Sequence, residues 1–185
     1  MVTYLIMAFV CALAPREGTG GVPAAEPPRD PAPLVAVLAL RFDGEHATVL
    51  EPGDTAVAAA ATAQLLATLA ASPAVTVADP GRVAAAVAAA EAGGNRCDAR
   101  CAVEIGRQVG ARWVVAGTLV KTSNLVWVLL GELRDVASGR TVLADSYELK
   151  GDAARMAPAG AHVFAQRVER AVTAAGVTPA GRAAP

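Results

Sequence analysis

The sequence is poor in the residues that build metal sites and nucleic-acid-binding surfaces. It contains only two histidines, His46 and His162, and three cysteines in 185 residues. Its 16 Lys+Arg are balanced by 17 Asp+Glu, which gives a formal net charge of −1. Because nucleic-acid-binding proteins normally carry a basic face, we expect no nucleic-acid partner. We also expect no metal and no cofactor, since both histidines stand far from the cysteines in sequence.

Motifs of common enzyme classes are missing as well. The sequence has no Walker-type loop, no Gly-x-Ser-x-Gly turn and no Gly-x-Gly-x-x-Gly dinucleotide loop. The acidic stretch Asp43-Gly44-Glu45 lacks the other ligands of a calcium loop, so we interpret it as a turn. No catalytic residue is predicted, and the sequence favours a non-enzymatic protein.

An unbroken apolar run, "YLIMAFVCALA", lies near the N-terminus from Tyr4 to Ala14. Its length is typical of a secretory signal peptide, although the residues before it include no Lys or Arg. No comparable run of about eighteen apolar residues follows, so we expect no membrane span in the mature chain. We predict a signal peptide that is either removed or kept as an anchor, and a periplasmic or secreted protein. The predicted segments are a signal peptide at 1–24, a disordered linker at 25–33, a folded domain at 34–176 and a flexible tail at 177–185.

The hydrophobic pattern of the domain alternates strands with helices and then turns to strands alone. Asp54, Asp79 and Asp98 each stand where they can cap a helix. The last three strands are separated by short turns, which predicts hairpins, and the outermost alternates apolar and polar residues. The sequence therefore predicts one α/β (α+β) domain with a mixed sheet of about five strands and helices packed on it. The predicted strands are 34–42, 74–79, 112–123, 125–136 and 141–150; the predicted helices are 55–71, 80–92, 99–109 and a last one with Pro158 in its first turn.

Cys97 and Cys101 form the most distinctive local pattern, "RCDARC". With Asp98 as the cap, Cys97 lies just outside a helix and Cys101 in its first turn, so a local bend could close a disulfide. An exported protein favours that oxidised form. Two alternatives stay open. A thiolate at a helix start beside Arg96 and Arg100 would suit redox chemistry, and a metal site would need a distant histidine.

Asp135 and Gly139 flank the predicted turn between the last two strands. An aspartate side chain can hydrogen-bond to the backbone just ahead of it, and glycine tolerates the left-handed conformation that tight turns require. We therefore predict that both residues serve the hairpin turn. The two tryptophans, Trp113 and Trp127, fall in strands and are expected in the core.

The stretch from Arg96 to Gly139 resembles a family of secreted bacterial proteins known as domain of unknown function 2380. The shared pattern comprises Arg96-Cys97-Asp98, Cys101-Ala102, Ile105-Gly106, Gly110-Ala111, Val115-Ala116-Gly117 and Arg134-Asp135-Val136 with Gly139. More distantly, the domain is similar to the N-terminal domain of TolB and to CsgG, which lack these cysteines. The resemblance implies a TolB N-terminal-domain-like fold and a cell-envelope location. It carries over no catalytic residue.

These observations lead us to expect a protein-interaction or assembly module of the cell envelope. Its partner would be a protein or another envelope component, recognised for example through an exposed sheet edge. A periplasmic thiol-disulfide redox protein using Cys97 and Cys101 is the first alternative. A small-ligand-binding protein is the second, and it requires an apolar pocket with converging polar groups. The sequence leaves the oligomeric state open.

Overall fold

The computed structural model describes residues 31–45, 47 and 49–177. The predicted signal peptide, most of the predicted linker, His46 and all but the first residue of the predicted tail therefore lie outside the described residues. The elements are β1 (Leu34–Val37), β2 (Arg41–Asp43), α1 (Asp54–Ala70), β3 (Thr76–Val77), α2 (Pro80–Glu91), α3 (Ala99–Gln108), β4 (Trp113–Lys121), β5 (Val126–Asp135), β6 (Thr141–Lys150) and α4 (Ala153–Val177).

The strands form one mixed sheet of six strands in the order β3-β1-β4-β5-β6, with β2 also paired to β4. β1 lies parallel to both β3 and β4, and β2 lies parallel to β4. β4, β5 and β6 are antiparallel neighbours joined by short turns. The predicted fold class is thus confirmed, including helix-linked parallel strands followed by hairpins and an outermost strand at 141–150. The sheet has six strands and not five, because the predicted first strand divides into β1 and β2.

The helices cover the two faces of the sheet unequally. α1 and α4 pack on one face, where Leu65, Leu69 and Phe164 are fully buried against strand residues such as Leu129. α2 and α3 pack on the other face, but their apolar cluster reaches mainly β1 and β4. On that second face, strand residues farther along the sheet stay accessible: Leu130 is 43% and Val142 44% exposed. One end of the sheet is therefore enclosed by helices, and the other is covered on one side only.

Two of the three predicted helix caps are confirmed. The Asp79 side chain accepts a hydrogen bond from Arg82 N at 2.7 Å, and Pro80 follows in the first turn of α2. The Asp98 side chain accepts from Cys101 N at 2.9 Å at the start of α3. The prediction that Asp54 caps α1 is wrong. Gly53 occupies the cap position with φ 106°, and Asp54 is the first helical residue.

Pro158 also lies elsewhere than predicted, within α4 and not in its first turn. The helix starts earlier because the Asp152 side chain accepts a hydrogen bond from Ala154 N at 3.0 Å. A short polar side chain at this point provides the backbone donor of the first turn with a partner.

The predicted strand 34–42 is interrupted. Val37 pairs with Val115 and Arg41 with Thr118, so three residues on one strand lie opposite two on β4. The extra residue turns the Leu40 backbone N–H out of the sheet, where it donates to Thr62 Oγ1 at 2.9 Å. The break therefore separates β1 from β2 and joins the sheet to α1.

Two glycines of the sequence pattern stand where a side chain would collide. A Cβ on Gly117 would lie 2.5 Å from the carbonyl oxygen of Leu130, beside the break between β1 and β2. A Cβ on Gly106 in α3 would lie 2.6 Å from Val136 Cγ2. Both distances are shorter than a real Cβ contact. These glycines let β4 approach β5, and α3 approach the sheet.

Candidate functional site

The cysteine pair lies at the start of α3. Cys97 and Cys101 form a disulfide, and their Cα atoms are 5.1 Å apart. Cys97 stands outside the helix and Cys101 in its first turn, with the Asp98 carboxylate between them bound to Cys101 N. That hydrogen bond lowers the pKa of Asp98. Because the carboxylate already occupies the positive end of the helix, it opposes the stabilisation of a Cys101 thiolate that redox chemistry would use.

The loop held by the disulfide is linked to the sheet through Glu91. Glu91 Oε1 accepts a hydrogen bond from Cys97 N at 2.8 Å and pairs with the Arg41 guanidinium of β2. The Cys97 hydrogen bond, followed by the charges of Arg41 and Arg96, holds the pKa of Glu91 below its ordinary value despite partial burial. The cluster therefore contains two cations and one carboxylate, which leaves a local excess of positive charge.

An open groove of about 910 Å³ runs beside this cluster, between α1 and α2. We call it the α1–α2 groove. Its volume lies in the range of ligand-binding clefts. Side chains from both helices form its walls, and the chain from Val37 to Phe42 forms its floor. Arg41, Glu91 and Arg96 are its charged residues. The remaining lining includes the alanines 58, 59, 63, 84 and 88, together with Leu66, Val83 and Val87.

The floor of the groove is also an edge of the sheet. β3 pairs with β1 only at Leu34 and Val35. After β3, the polypeptide leaves the sheet and enters α2 at Pro80. A proline has no backbone N–H to continue the pairing. Within the described residues, no strand lies beyond β2 on this side. The groove thus combines an apolar cleft with a strand that has one unpaired side.

Three polar side chains of the groove, Thr62, Arg41 and Glu91, are engaged in structural hydrogen bonds. The Thr62 hydroxyl donates to the carbonyl of Ala58 at 2.8 Å and accepts from Leu40 N. Arg41 and Glu91 bind each other.

A buried ion pair, Lys121 with Asp54, was missed by the sequence reasoning. Lys121 Nζ lies 3.0 Å and 2.8 Å from the two carboxylate oxygens of Asp54, and 5.5 Å from the centroid of the Trp127 ring. Lys121 is 1% and Asp54 7% exposed. Burial alone would raise the pKa of Asp54, but hydrogen bonds from Glu51 N and Lys121 and the lysine charge outweigh it and lower that pKa. The pair fixes the start of α1, next to groove residue Thr55, to the end of β4.

The turn between β5 and β6 contains Asp135 and Gly139. Asp135 Oδ1 accepts hydrogen bonds from Ser138 N and Ser138 Oγ, both at 2.7 Å, and Gly139 has φ 70°. The Ser138 hydroxyl lowers the pKa of Asp135. Neither residue lines the α1–α2 groove, and the hydrogen bonds named above stay within the turn, so the structure does not join the predicted site residues into one centre.

His162 contacts α1 and does not line the groove. His162 is exposed on α4, with Nδ1 3.0 Å from Thr68 Oγ1. Nowhere in the described ranges do three or more His, Cys, Asp or Glu side chains gather as metal ligands would. None of the described helices is both long and apolar enough to cross a membrane.

Comparison with solved structures supports the fold. TolB from Acinetobacter baumannii is 18% identical, with a TM-score of 0.50 over 78% of this chain and 29% of that chain. The LpoB C-terminal domain from Salmonella enterica is 17% identical, with a TM-score of 0.48 over 64% and 83% of the two chains. The PelC dodecamer from Paraburkholderia phytofirmans is 18% identical, with a TM-score of 0.46 over 77% and 88%. The TolB match shows a shared fold, as the sequence pattern implied.

A search of curated proteins finds no significant match. The family DUF3280, described as "Protein of unknown function (DUF2380)", matches residues 33–167. This range includes the cysteine pair, both motif glycines and the groove. The chain therefore belongs to the DUF2380 family.

Proposed function

We propose that this protein is an exported, non-enzymatic interaction module of the cell envelope that binds an extended segment of a partner protein in the α1–α2 groove. The observation that carries the proposal is the chain from Val37 to Phe42 at the floor of an apolar groove, where no described strand pairs with its outer side and only Leu40 N is engaged, by Thr62. An extended segment can add to such an edge through its backbone, while alternate side chains enter the cleft.

Two features support the export part of the proposal. The apolar run from Tyr4 to Ala14 has the length of a signal peptide. The disulfide between Cys97 and Cys101 suits an oxidising compartment such as the periplasm. Cell fractionation, with sequencing of the N-terminus of the recovered protein, tests this part. A reduced protein that keeps its N-terminus in the cytoplasm would contradict it.

The chemistry of the groove defines the segment it would accept. Small alanine side chains on both helices leave room for branched apolar side chains at every second position of a strand. Arg41 and Arg96 outnumber Glu91 among the charged residues that line the groove, which favours a carboxylate at one end of the segment. The expected segment is therefore extended, apolar at alternate positions, and acidic at one end.

A binding titration with a defined peptide tests the proposal. The probe is a short capped peptide in which valine alternates with threonine and which ends in aspartate; a second peptide ends in lysine. We expect the full chain to bind the aspartate peptide more tightly than the lysine peptide, because the groove carries excess positive charge.

A matched pair of substitutions on α1 serves as the control. Ala59 lines the groove, whereas its neighbour Ala60 is exposed outside the groove lining. Ala59→Glu should weaken binding about tenfold or more, equivalent to about 1.4 kcal/mol, and Ala60→Glu should leave it unchanged. No binding by the unmodified chain, or equal losses in both variants, would refute the groove as the site.

A small apolar ligand is the second candidate, favoured by the volume of the groove, about 910 Å³. A fatty acid used as a competitor separates the two candidates. If the fatty acid binds in an Ala59-dependent manner while neither peptide binds, the groove is a small-ligand site and the peptide proposal fails.

A further inference from the structure

The opposite edge of the sheet, β6, is also unpaired. Among the described residues no strand lies beyond β6, which extends from Thr141 to Lys150. Gly151 N donates to the Leu125 carbonyl at 2.9 Å, which continues the ladder between β5 and β6. Because hydrogen-bonding direction alternates along an antiparallel strand, residues 145, 147 and 149 face β5, and residues 144, 146, 148 and 150 direct their backbone groups outward.

We propose that a second copy of this chain pairs with β6 in antiparallel fashion, about a twofold axis at Ser146. The two sheets would then join into one continuous sheet, with α4 of both copies on the same side. This interface lies across the sheet from the α1–α2 groove, so the dimer and the proposed partner segment use separate surfaces.

Geometry limits the register of such a pair. Outward-directed residues of one copy must oppose outward-directed residues of the other, so the twofold axis falls on a residue and not between two. Centres at Asp145 and at Ser146 give the longest overlap of the strand. A centre at Asp145 would place two carboxylates opposite each other, which is unfavourable. Ser146 is exposed and uncharged. An axis at Ser146 therefore gives the same long overlap without repulsion between two carboxylates.

The side chains are complementary in the Ser146 register. Leu143 faces Leu149 of the second copy, and Asp145 faces its Tyr147. Within one chain, Asp145 Oδ2 already accepts from the Tyr147 hydroxyl at 2.8 Å and pairs with Arg167 Nε at 2.9 Å. The same aspartate–tyrosine contact can therefore form between the two copies.

In the same register, the second copy covers part of the sheet face opposite α4. Val142, 44% exposed, faces Lys150 of the second copy, whose methylene groups can lie over it. Glu148 faces the second copy's Ala144, so neither charged residue meets a like charge. The exposed apolar surface at this end of the sheet would therefore become smaller on pairing.

A single engineered cysteine tests the register. All variants carry Cys11→Ser, so that Cys97 and Cys101, already joined, are the only other cysteines. Directly opposed residues of a hydrogen-bonded pair have Cα atoms about 5.5 Å apart, which lies within the range of about 4.4–6.8 Å found for disulfides. Ser146→Cys should therefore form a covalent dimer on oxidation, and Ala144→Cys, on the same strand but off the axis, should not. The readout is a band of twice the chain mass on a non-reducing gel.

A proline substitution tests the pairing itself. Ser146→Pro removes an outward-directed N–H from an edge strand, a position where proline is tolerated, and circular dichroism confirms that the variant folds. Light scattering should give twice the chain mass for the unmodified protein and half of that value for Ser146→Pro. A monomeric unmodified protein, a dimer that survives Ser146→Pro, or cross-linking by Ala144→Cys instead of Ser146→Cys would each overturn the proposal. None of these results depends on peptide binding by the groove.

Discussion

The starts of α1 and α3, which lie beside the α1–α2 groove and its charged cluster, are fixed in different ways. The start of α3 is held at the surface by a disulfide and by the Asp98 cap. The start of α1 is held in the core by the ion pair between Asp54 and Lys121. The surface link is plain in the sequence and joins residues separated by 4 positions, whereas the buried link joins residues separated by 67.

The two links also differ in what happens when they are broken. A disulfide mainly restricts the unfolded chain, and a short loop restricts it little. A buried ion pair leaves an uncompensated charge in the core when one partner is removed. The buried ion pair should therefore contribute more to the free energy of unfolding than the disulfide, and three experiments test that ranking.

The largest effect is expected from Lys121→Met. The variant leaves the Asp54 carboxylate buried without its cation, so the free energy of unfolding should fall by about 3–5 kcal/mol. Urea denaturation measures the change. Adding Asp54→Asn, which keeps an acceptor for Glu51 N, should restore part of the loss. A loss below about 1 kcal/mol, typical of an exposed pair, would contradict the assignment of this pair as the principal link.

A smaller effect is expected when the disulfide is removed. The loop from Cys97 to Cys101 is so short that Cys97→Ser with Cys101→Ser should cost only about 2 kcal/mol. Reducing agent should destabilise the unmodified protein by the same amount and leave the double variant unchanged. A structural bridge should also have a reduction potential below about −300 mV. A clearly higher potential would favour the thiol-redox alternative.

The smallest effect concerns acid. The pKa of Asp54 is lowered in the folded chain from an ordinary value of 3.8. The unfolded chain therefore takes up the proton first as the pH falls, and the stability that the carboxylate contributes is present above about pH 4 and lost below it. The stability difference between the unmodified protein and Lys121→Met should accordingly shrink below pH 4. A difference that stays constant from pH 7 to pH 3 would show that this ionisation does not contribute.

Local features were predictable from the sequence, and distant ones were not. Asp79 and Asp98 act within three residues of themselves, and the hairpins of β4, β5 and β6 follow from short turns between apolar runs. Lys121 had a weak signal: it continues the alternation of Trp113, Val115 and Leu119, the side of β4 that faces the core. Its partner could not be inferred, because nothing near Lys121 in sequence indicates Asp54.

The groove could not be predicted from the sequence either, because it also depends on contacts between residues distant in sequence. The run from Leu34 to Phe42 resembles one continuous strand, and its interruption depends on Gly117 and on the Thr62 hydroxyl from another helix. The alanines of α1 and α2 give no separate signal for residues that line a groove and residues that face solvent. Only the packing of the two helices against the strand distinguishes Ala59 from Ala60.

The proposed function requires a partner segment to add to the sheet at the floor of the α1–α2 groove. Amide hydrogen exchange with and without the aspartate peptide tests it most directly, because a paired edge exchanges more slowly. We expect slower exchange in the segment from Val37 to Phe42 and unchanged exchange in β6. Slower exchange in β6 alone, or no change in either edge, would contradict it.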